Sequence, residues 1–208
     1  MGRNLANLHI KTNNLEKALK ALRELSEDSP EVLGKKSSVQ NRAVSDAEKT
    51  ENEAQDNTFV FYVSKSNENW VSVLHDYFVW GTVKKVGKAL SRLIEEPVVT
   101  IGFINDEIFE LSIFENGDIG AERIFCGPWT REDYELQEER LHDDRLREVL
   151  DIRKEDFDEF IKITSPEQAV DQLSEFLSMS LWSDSEWLPH EENLRIRFEK
   201  YDLSPIDS

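Results

Sequence analysis

The chain has 208 residues, of which 43 are acidic and 25 are basic, so its formal net charge is −18. This charge excludes nucleic acids and anionic lipids as main partners, because both would repel the protein. The single cysteine, Cys126, excludes an intramolecular disulfide framework and a multi-cysteine metal site. The sequence contains neither a signal peptide nor a stretch of roughly 20 apolar residues, so we expect a cytoplasmic protein.

The N-terminal part is predicted to form a strand followed by a helix. Apolar and polar side chains alternate over residues 6–11, which is typical of a short strand. Asn13 and Glu16 have the spacing of an N-cap and its third helical residue, and apolar residues then recur with helical period over 15–26. Residues 27–57 lose this periodicity and are predicted to form a mobile insertion or linker.

Residues 58–128 are predicted to form a core of strands and one helix. The segment Thr58–Ser64 is apolar on both faces, as a central strand would be. Trp70–Trp80 is rich in aromatic and β-branched residues, and its pattern allows either a strand or a buried helix. Thr82 is predicted to cap a helix with an apolar stripe from Val83 to Ile94.

Three further strands are predicted over 98–104, 108–115 and 118–125. Asn116-Gly117 separates the last two, and this dipeptide favours a type I′ hairpin turn. The order of elements indicates an α+β fold. We expect a mostly antiparallel sheet with a C-terminal β-meander at about 98–125 and helices packed on one face.

The negative charge is concentrated in residues 129–208, which hold 23 acidic and 10 basic side chains. Ser165, Pro166 and Gln168 together form a helix start, with a serine cap and proline at the first helical position. A last helix is predicted from His190 to Tyr201. We therefore expect an acidic helical region packed on the core, with the whole chain forming one domain.

The sequence lacks the motifs of the common enzyme classes. It has no glycine-rich phosphate loop and no nucleophile elbow, so we expect no cofactor and no catalytic residues. Three clusters join histidine to acids: His75-Asp76, His142-Asp143-Asp144 and His190-Glu191-Glu192. Neighbouring side chains on a helix diverge by about 100°, which favours a solvated surface over a metal site for each cluster. A metal-dependent hydrolase using His142, Asp143 and Asp144 is the alternative hypothesis.

A partner-binding surface is predicted from tryptophans that lie next to acids. Trp182 and Trp187 are separated by Ser-Asp-Ser-Glu, which is too polar for both indoles to be wholly buried. Core packing is the alternative, but exposed tryptophan beside carboxylates is typical of a binding hot spot for a basic protein. The predicted surface consists of Trp182, Asp184, Glu186, Trp187, Glu138, Glu139, Asp143 and Asp144.

The stretch from Trp70 to Phe125, with its polar turn ENGDIGAERI, resembles small uncharacterised acidic proteins of bacteria. Some of these proteins are thought to be immunity proteins of polymorphic toxin systems. The resemblance implies a non-enzymatic binding module of the immunity or antitoxin type, whose acidic C-terminal surface covers a basic partner. It transfers no functional residue. A small-molecule sensor, with a pocket between the aromatic strands and the helix at 83–95, is a further alternative.

Overall fold

A computed structural model describes residues 2–34 and 57–206. Within these ranges the strands are β1 (Leu5–Ile10), β2 (Val60–Lys65), β3 (Val71–Leu74), β4 (Val98–Ile104), β5 (Ile108–Glu115), β6 (Asp118–Cys126) and β7 (Glu199–Asp202). The α-helices are α1 (Leu15–Asp28), α2 (Thr82–Leu90), α3 (Pro128–Asp133), α4 (Asp143–Leu150), α5 (Lys154–Phe160), α6 (Pro166–Leu177) and α7 (Glu192–Arg197). The fold is α+β, as predicted.

The strands form one antiparallel sheet in the order β6-β5-β4-β1-β3-β2-β7. The N-terminal strand β1 lies in the middle of this sheet, where Leu5 pairs with Phe103 of β4 and Leu8 pairs with Val73 of β3. The N-terminal segment therefore shares its sheet with the strands of residues 58–128.

Tight turns join the three strands that follow α2. Asn105 and Asp106 have φ values of 55° and 56° between β4 and β5, and Asn116 and Gly117 have 53° and 79° between β5 and β6. Positive φ at both central residues is the requirement of a type I′ turn, whose twist matches that of the strands. These turns place β4, β5 and β6 side by side.

Helices cover both faces of the sheet, so the prediction of helices on one face is wrong. Ala6, Leu8 and Ile10 of β1 pack with α1 and α2, whereas Leu5 contributes to the core formed with α4, α5 and α6. The polar residues Asn7 and His9 of β1 are buried and hydrogen-bonded, so the alternation of β1 does not mark a solvent side.

Helix starts differ from the predictions at α1 and at α2, where Gly81 rather than Thr82 occupies the cap position. The side chain of Asn14, rather than Asn13, caps α1 by accepting a hydrogen bond from the Lys17 amide at 3.1 Å. Ser165 caps α6 as predicted, by accepting from the Gln168 amide at 3.3 Å. The predicted insertion begins inside α1 and continues through a 3₁₀ turn at Pro30–Leu33. Residues 35–56 of the predicted insertion lie outside the described residues.

The structure differs from the predictions in two segments, Trp70–Trp80 and His190–Tyr201. Only Val71–Leu74 of the segment Trp70–Trp80 is a strand, and a loop follows. The predicted last helix ends at Arg197, after which β7 pairs with β2 in antiparallel register. Four residues are too few for a period-2 pattern to identify a strand, and the free edge of β2 supplies the pairing. Every helix in the described ranges is too short or too polar to cross a membrane.

Candidate functional site

Glu138, one of the predicted partner-binding acids, forms a structural ion pair. Its carboxylate oxygens accept hydrogen bonds from both terminal nitrogens of Arg131, at 2.9 and 3.0 Å. One oxygen also accepts from the backbone amide of Ile124 in β6, at 3.2 Å. Arg131 in turn donates to the Ile124 carbonyl, at 2.8 Å. This pair holds the segment after α3 against the outer edge of the sheet.

Two of the neighbouring acids, Glu139 and Asp143, are engaged in the same way. Glu139 pairs with Lys84 at 3.1 Å, and Asp143 pairs with Arg123 through two hydrogen bonds of 2.9 and 2.7 Å. Asp144 is exposed in the first turn of α4. Since unpaired edge strands invite association with other chains, we interpret these contacts as cover for the edge of β6.

The structure divides the predicted surface into two parts. Glu138, Glu139 and Asp143 contact residues near β6 or α2, whereas the Trp182–Trp187 segment contacts β1, three strands away in the sheet. Adjacent strands lie about 4.8 Å apart, so these two strands are separated by roughly 14 Å. The second part lines a cavity, and it is the candidate functional site.

Asp184 anchors this second part to the sheet. Its Oδ2 accepts a hydrogen bond from the Ala6 amide at 2.9 Å, and its Oδ1 accepts one from the Glu186 amide at 3.0 Å. The second bond caps the 3₁₀ turn at Ser185–Trp187. Both carboxylate oxygens are therefore held by backbone, and Asp184 is 7% exposed.

A cavity of about 330 Å³ opens beside Asp184, where β1 begins and where β4 ends. We call it the acidic cavity. Its polar lining comes from Asn4, Asp76, Asp184 and Glu186, and its apolar lining comes from Leu5, Phe78, Val79, Trp80, Phe103 and Ile104. None of these described lining residues is basic, so three carboxyl groups share a partly aromatic cavity without a cation among them.

The carboxyl groups of the acidic cavity act on one another. Burial raises the pKa of Asp184 to about 6, against the opposing effect of its two amide donors, and the negative charges of Glu186 and Asp76 raise it further. Glu122 and Glu138 are also shielded from solvent, but each has a basic partner, Lys84 and Arg131 respectively. Asp184 instead faces carboxylates, and a cation in the cavity would reduce this repulsion.

A second cleft of about 520 Å³ adjoins the acidic cavity and shares Asn4 and Glu186 with it. Trp182 and Trp187 line this cleft, and both are half-buried. Trp182 donates its indole N–H to Asp171 at 2.7 Å, and the Arg3 guanidinium lies 4.4 Å from its ring centroid. Residues of the same chain therefore engage part of the Trp182 indole, and its contact with a partner stays a prediction.

The structure does not support the metal site at His142. Asp143 is committed to Arg123, and His142 is exposed at the start of α4. Among residues 2–34 and 57–206, no group of three or more histidine, cysteine or acidic side chains is arranged to hold a metal ion. The sensor hypothesis placed its pocket against the helix at 83–95, but the lining of the acidic cavity includes no residue of α2.

A buried hydrogen-bonded chain of Ser72, His9 and Asn7 has the order of groups found in nucleophilic hydrolases. His9 Nδ1 lies 2.8 Å from Ser72 Oγ, and His9 Nε2 lies 2.6 Å from Asn7 Oδ1. Asn7 donates its amide group to the carbonyls of Leu181 and Ser183, so its oxygen accepts from His9 Nε2–H. Ser72 and His9 are each 1% exposed, so no substrate reaches the hydroxyl in this conformation. The chain of bonds ties β1 to residues 181–183.

Sequence reasoning missed Asp76, Trp80 and Phe103 as members of the cavity. The sequence pattern joins Asp76 only to His75, and that histidine turns inward to bond the Thr58 carbonyl at 2.7 Å. The available signal was a single acid among the aromatic and apolar residues that follow Val71–Leu74, but its proximity to Asp184 depends on the tertiary structure. No protein-family model matches the chain, and comparisons with curated proteins and with solved structures found no match.

Proposed function

We propose that this protein is a non-enzymatic protein-binding module that receives a basic partner at the acidic cavity and the adjoining cleft. The observation that carries the proposal is the grouping of Asp76, Asp184 and Glu186 around one cavity whose described lining contains no basic residue. Acids elsewhere in the chain, such as Glu138 and Asp143, are neutralised by arginine. A cation supplied by another protein would complete the cavity electrostatically.

The net charge supports the same kind of partner. A field of one sign accelerates the approach of an oppositely charged protein and disfavours acidic competitors. The concrete form that we propose is an immunity or antitoxin-like protein, which inactivates a basic toxin by covering its site. The resemblance of Trp70–Phe125 to acidic bacterial proteins supports this form. The acidic cavity lies where β1 begins and β4 ends, so the sheet gives the partner a rigid surface.

The test begins with the recovery of a binding partner from the native host at low salt. The purified partner is then titrated into the protein and its binding is measured by calorimetry. The variant Asp76→Lys/Glu186→Lys reverses two charges of the cavity rim. The matched control Glu155→Lys/Glu175→Lys changes the net charge equally, on helices that do not line the cavity. We expect the cavity variant to bind about tenfold more weakly than the control, because a close charge contact contributes more than the long-range field.

Equal weakening by both variants would overturn the proposed site, because it would show that only net charge matters. Failure to recover any basic partner at low salt would overturn the proposed function itself. The immunity form has a separate readout: expression of the partner alone should arrest bacterial growth. Co-expression of the wild-type protein should restore growth, and the cavity variant should not. A partner that is harmless when expressed alone would contradict the immunity form.

A further inference from the structure

We infer that the acidic cavity is a receptor for the guanidinium group of a single arginine side chain. This inference rests on the proposed function and deepens it, because it names the chemical group by which the partner is recognised. Three properties of the cavity carry it: its size, its combination of carboxylates with aromatic walls, and the way in which the protein holds one of its own arginines nearby.

The size of the cavity fits one side chain. Ligand pockets in proteins commonly range from about 300 to 1,000 Å³, so a cavity of 330 Å³ is at the small end of that range. Leu5, Phe78 and Phe103 are almost fully buried and form rigid apolar walls. An inserted side chain would have its stem against these walls and its head near Asp184.

The chemistry of the walls favours guanidinium over ammonium. A guanidinium is planar and weakly hydrated, stacks on aromatic rings and donates to two carboxylates at once, whereas an ammonium is compact and strongly hydrated. The cavity offers the aromatic residues Phe78, Trp80 and Phe103 together with Asp76 and Asp184. Burial beside aromatic rings costs a strongly hydrated ammonium more free energy than it costs a guanidinium.

Backbone contacts preorganise the carboxylate of Asp184 for binding a guanidinium. Its two oxygens are fixed by the amides of Ala6 and Glu186, so a ligand need not order the carboxylate on binding. Each carboxylate oxygen has a further lone pair, which leaves acceptor capacity for a donor within the cavity. Preorganisation of this kind lowers the entropic cost of binding.

The adjoining cleft holds arginine by the same chemistry. The guanidinium of Arg3 lies 4.4 Å from the Trp182 ring centroid and pairs with both Asp106 and Glu167 at 2.8 Å. One indole and two carboxylates thus bind an arginine of this chain. The acidic cavity brings an indole, Trp80, together with three carboxyl groups, and no described basic residue lines it.

The experiment uses the full chain and three matched ligands: the N-acetyl methylamides of arginine, lysine and citrulline. Citrulline has nearly the shape of arginine but no charge. Binding is followed by calorimetry and by the nuclear magnetic resonance signal of the Trp80 indole N–H, assigned with Trp80→Phe. We expect saturable binding of the arginine ligand with a shift of that signal, about fivefold weaker binding of the lysine ligand, and no saturation with the citrulline ligand.

The variant Asp76→Asn removes one charge of the cavity without changing the size of the side chain. We expect it to weaken binding of the arginine ligand about fivefold, whereas Glu175→Gln, on α6 and outside the cavity, should leave binding unchanged. Equal affinity for the arginine and lysine ligands, or a response to citrulline as strong as that to arginine, would overturn the guanidinium assignment.

The outcomes separate this inference from the proposed function. If the arginine ligand does not bind while Asp76→Lys/Glu186→Lys still weakens binding of a purified basic partner more than its control does, the guanidinium inference is overturned and the proposed function stands. If the arginine ligand binds at the cavity but no basic protein partner is recovered, the guanidinium site stands. The protein-binding function is then overturned in favour of a small-cation receptor.

Discussion

The carboxylate of Asp184 accepts a hydrogen bond from the backbone amide of Ala6, a residue 178 positions earlier in the chain, at 2.9 Å. This contact attaches the C-terminal segment to the beginning of the central strand β1. It also places a buried acid at the wall of the acidic cavity, so the stability of the fold and the chemistry of the site depend on the same side chain.

We expect Asp184→Asn to destabilise the protein by about 1–3 kcal/mol, because an amide offers one acceptor oxygen to the two backbone N–H groups that Asp184 satisfies. Urea denaturation at pH 7 measures this loss. Asp171→Asn is the control, since Asp171 accepts the Trp182 indole N–H at only one oxygen, which asparagine keeps. Equal losses in the two variants would contradict the explanation.

Glu110 should make stability fall as pH rises towards neutrality. Burial, with the nearby charges of Glu122 and Glu139, raises its pKa to about 7 despite the opposing attraction of Lys84, and its Oε1 has no hydrogen-bond partner among the described residues. The folded state therefore holds a proton that the unfolded state releases near pH 4.5. Stability from this group is complete below that pH and is lost as pH rises through about 7.

The variant Glu110→Gln removes this titration and leaves the other groups in place. We expect the difference in unfolding free energy, variant minus wild type, to grow by about 3 kcal/mol between pH 4.5 and 7.5. Denaturation curves at several pH values give this difference directly. A difference that stays constant across the window would show that Glu110 ionises normally in the folded protein.

Arg131 should control the cover over the edge of β6. Arg131→Ala removes the pair with Glu138 and the bond to the Ile124 carbonyl, so the segment that supplies the Arg140 carbonyl to the Glu122 amide should open more often. We expect the Glu122 and Ile124 amides to exchange hydrogen about tenfold faster. The exposed pair of Arg153 with Asp156 is the control, and Arg153→Ala should leave both rates unchanged.

Gly102 should be required for the position of Trp80. A β-carbon at residue 102 would lie 2.8 Å from Trp80 Cδ1, which is closer than van der Waals contact allows. We expect Gly102→Ala to cost about 1–3 kcal/mol and to shift the Trp80 indole resonance, because the ring must move from the cavity wall. Gly127→Ala is the control, since nothing lies within 4 Å of its added carbon. An unchanged resonance in Gly102→Ala would contradict this account.

Local patterns predicted much of the secondary structure. The helical period after Leu15 corresponds to α1, and Ser165 with Pro166 begins α6, because caps and amphipathic stripes involve residues a few positions apart. The type I′ geometry at Asn116-Gly117 is local for the same reason. The strand β7 escaped prediction, since it exists through pairing with β2 across most of the chain.

The sequence by itself determined the α+β class and the main helices, and it predicted a partner-binding surface that includes Trp182, Asp184, Glu186 and Trp187. Only the tertiary structure decided which acids have no basic partner among residues 2–34 and 57–206. Glu138 and Asp143 face arginines brought to them by β6 and α3, while Asp184 faces Asp76 and Glu186 beside β1. The physical reason is that charge pairing acts over a few ångströms in space, and the order of strands in the sheet sets those distances.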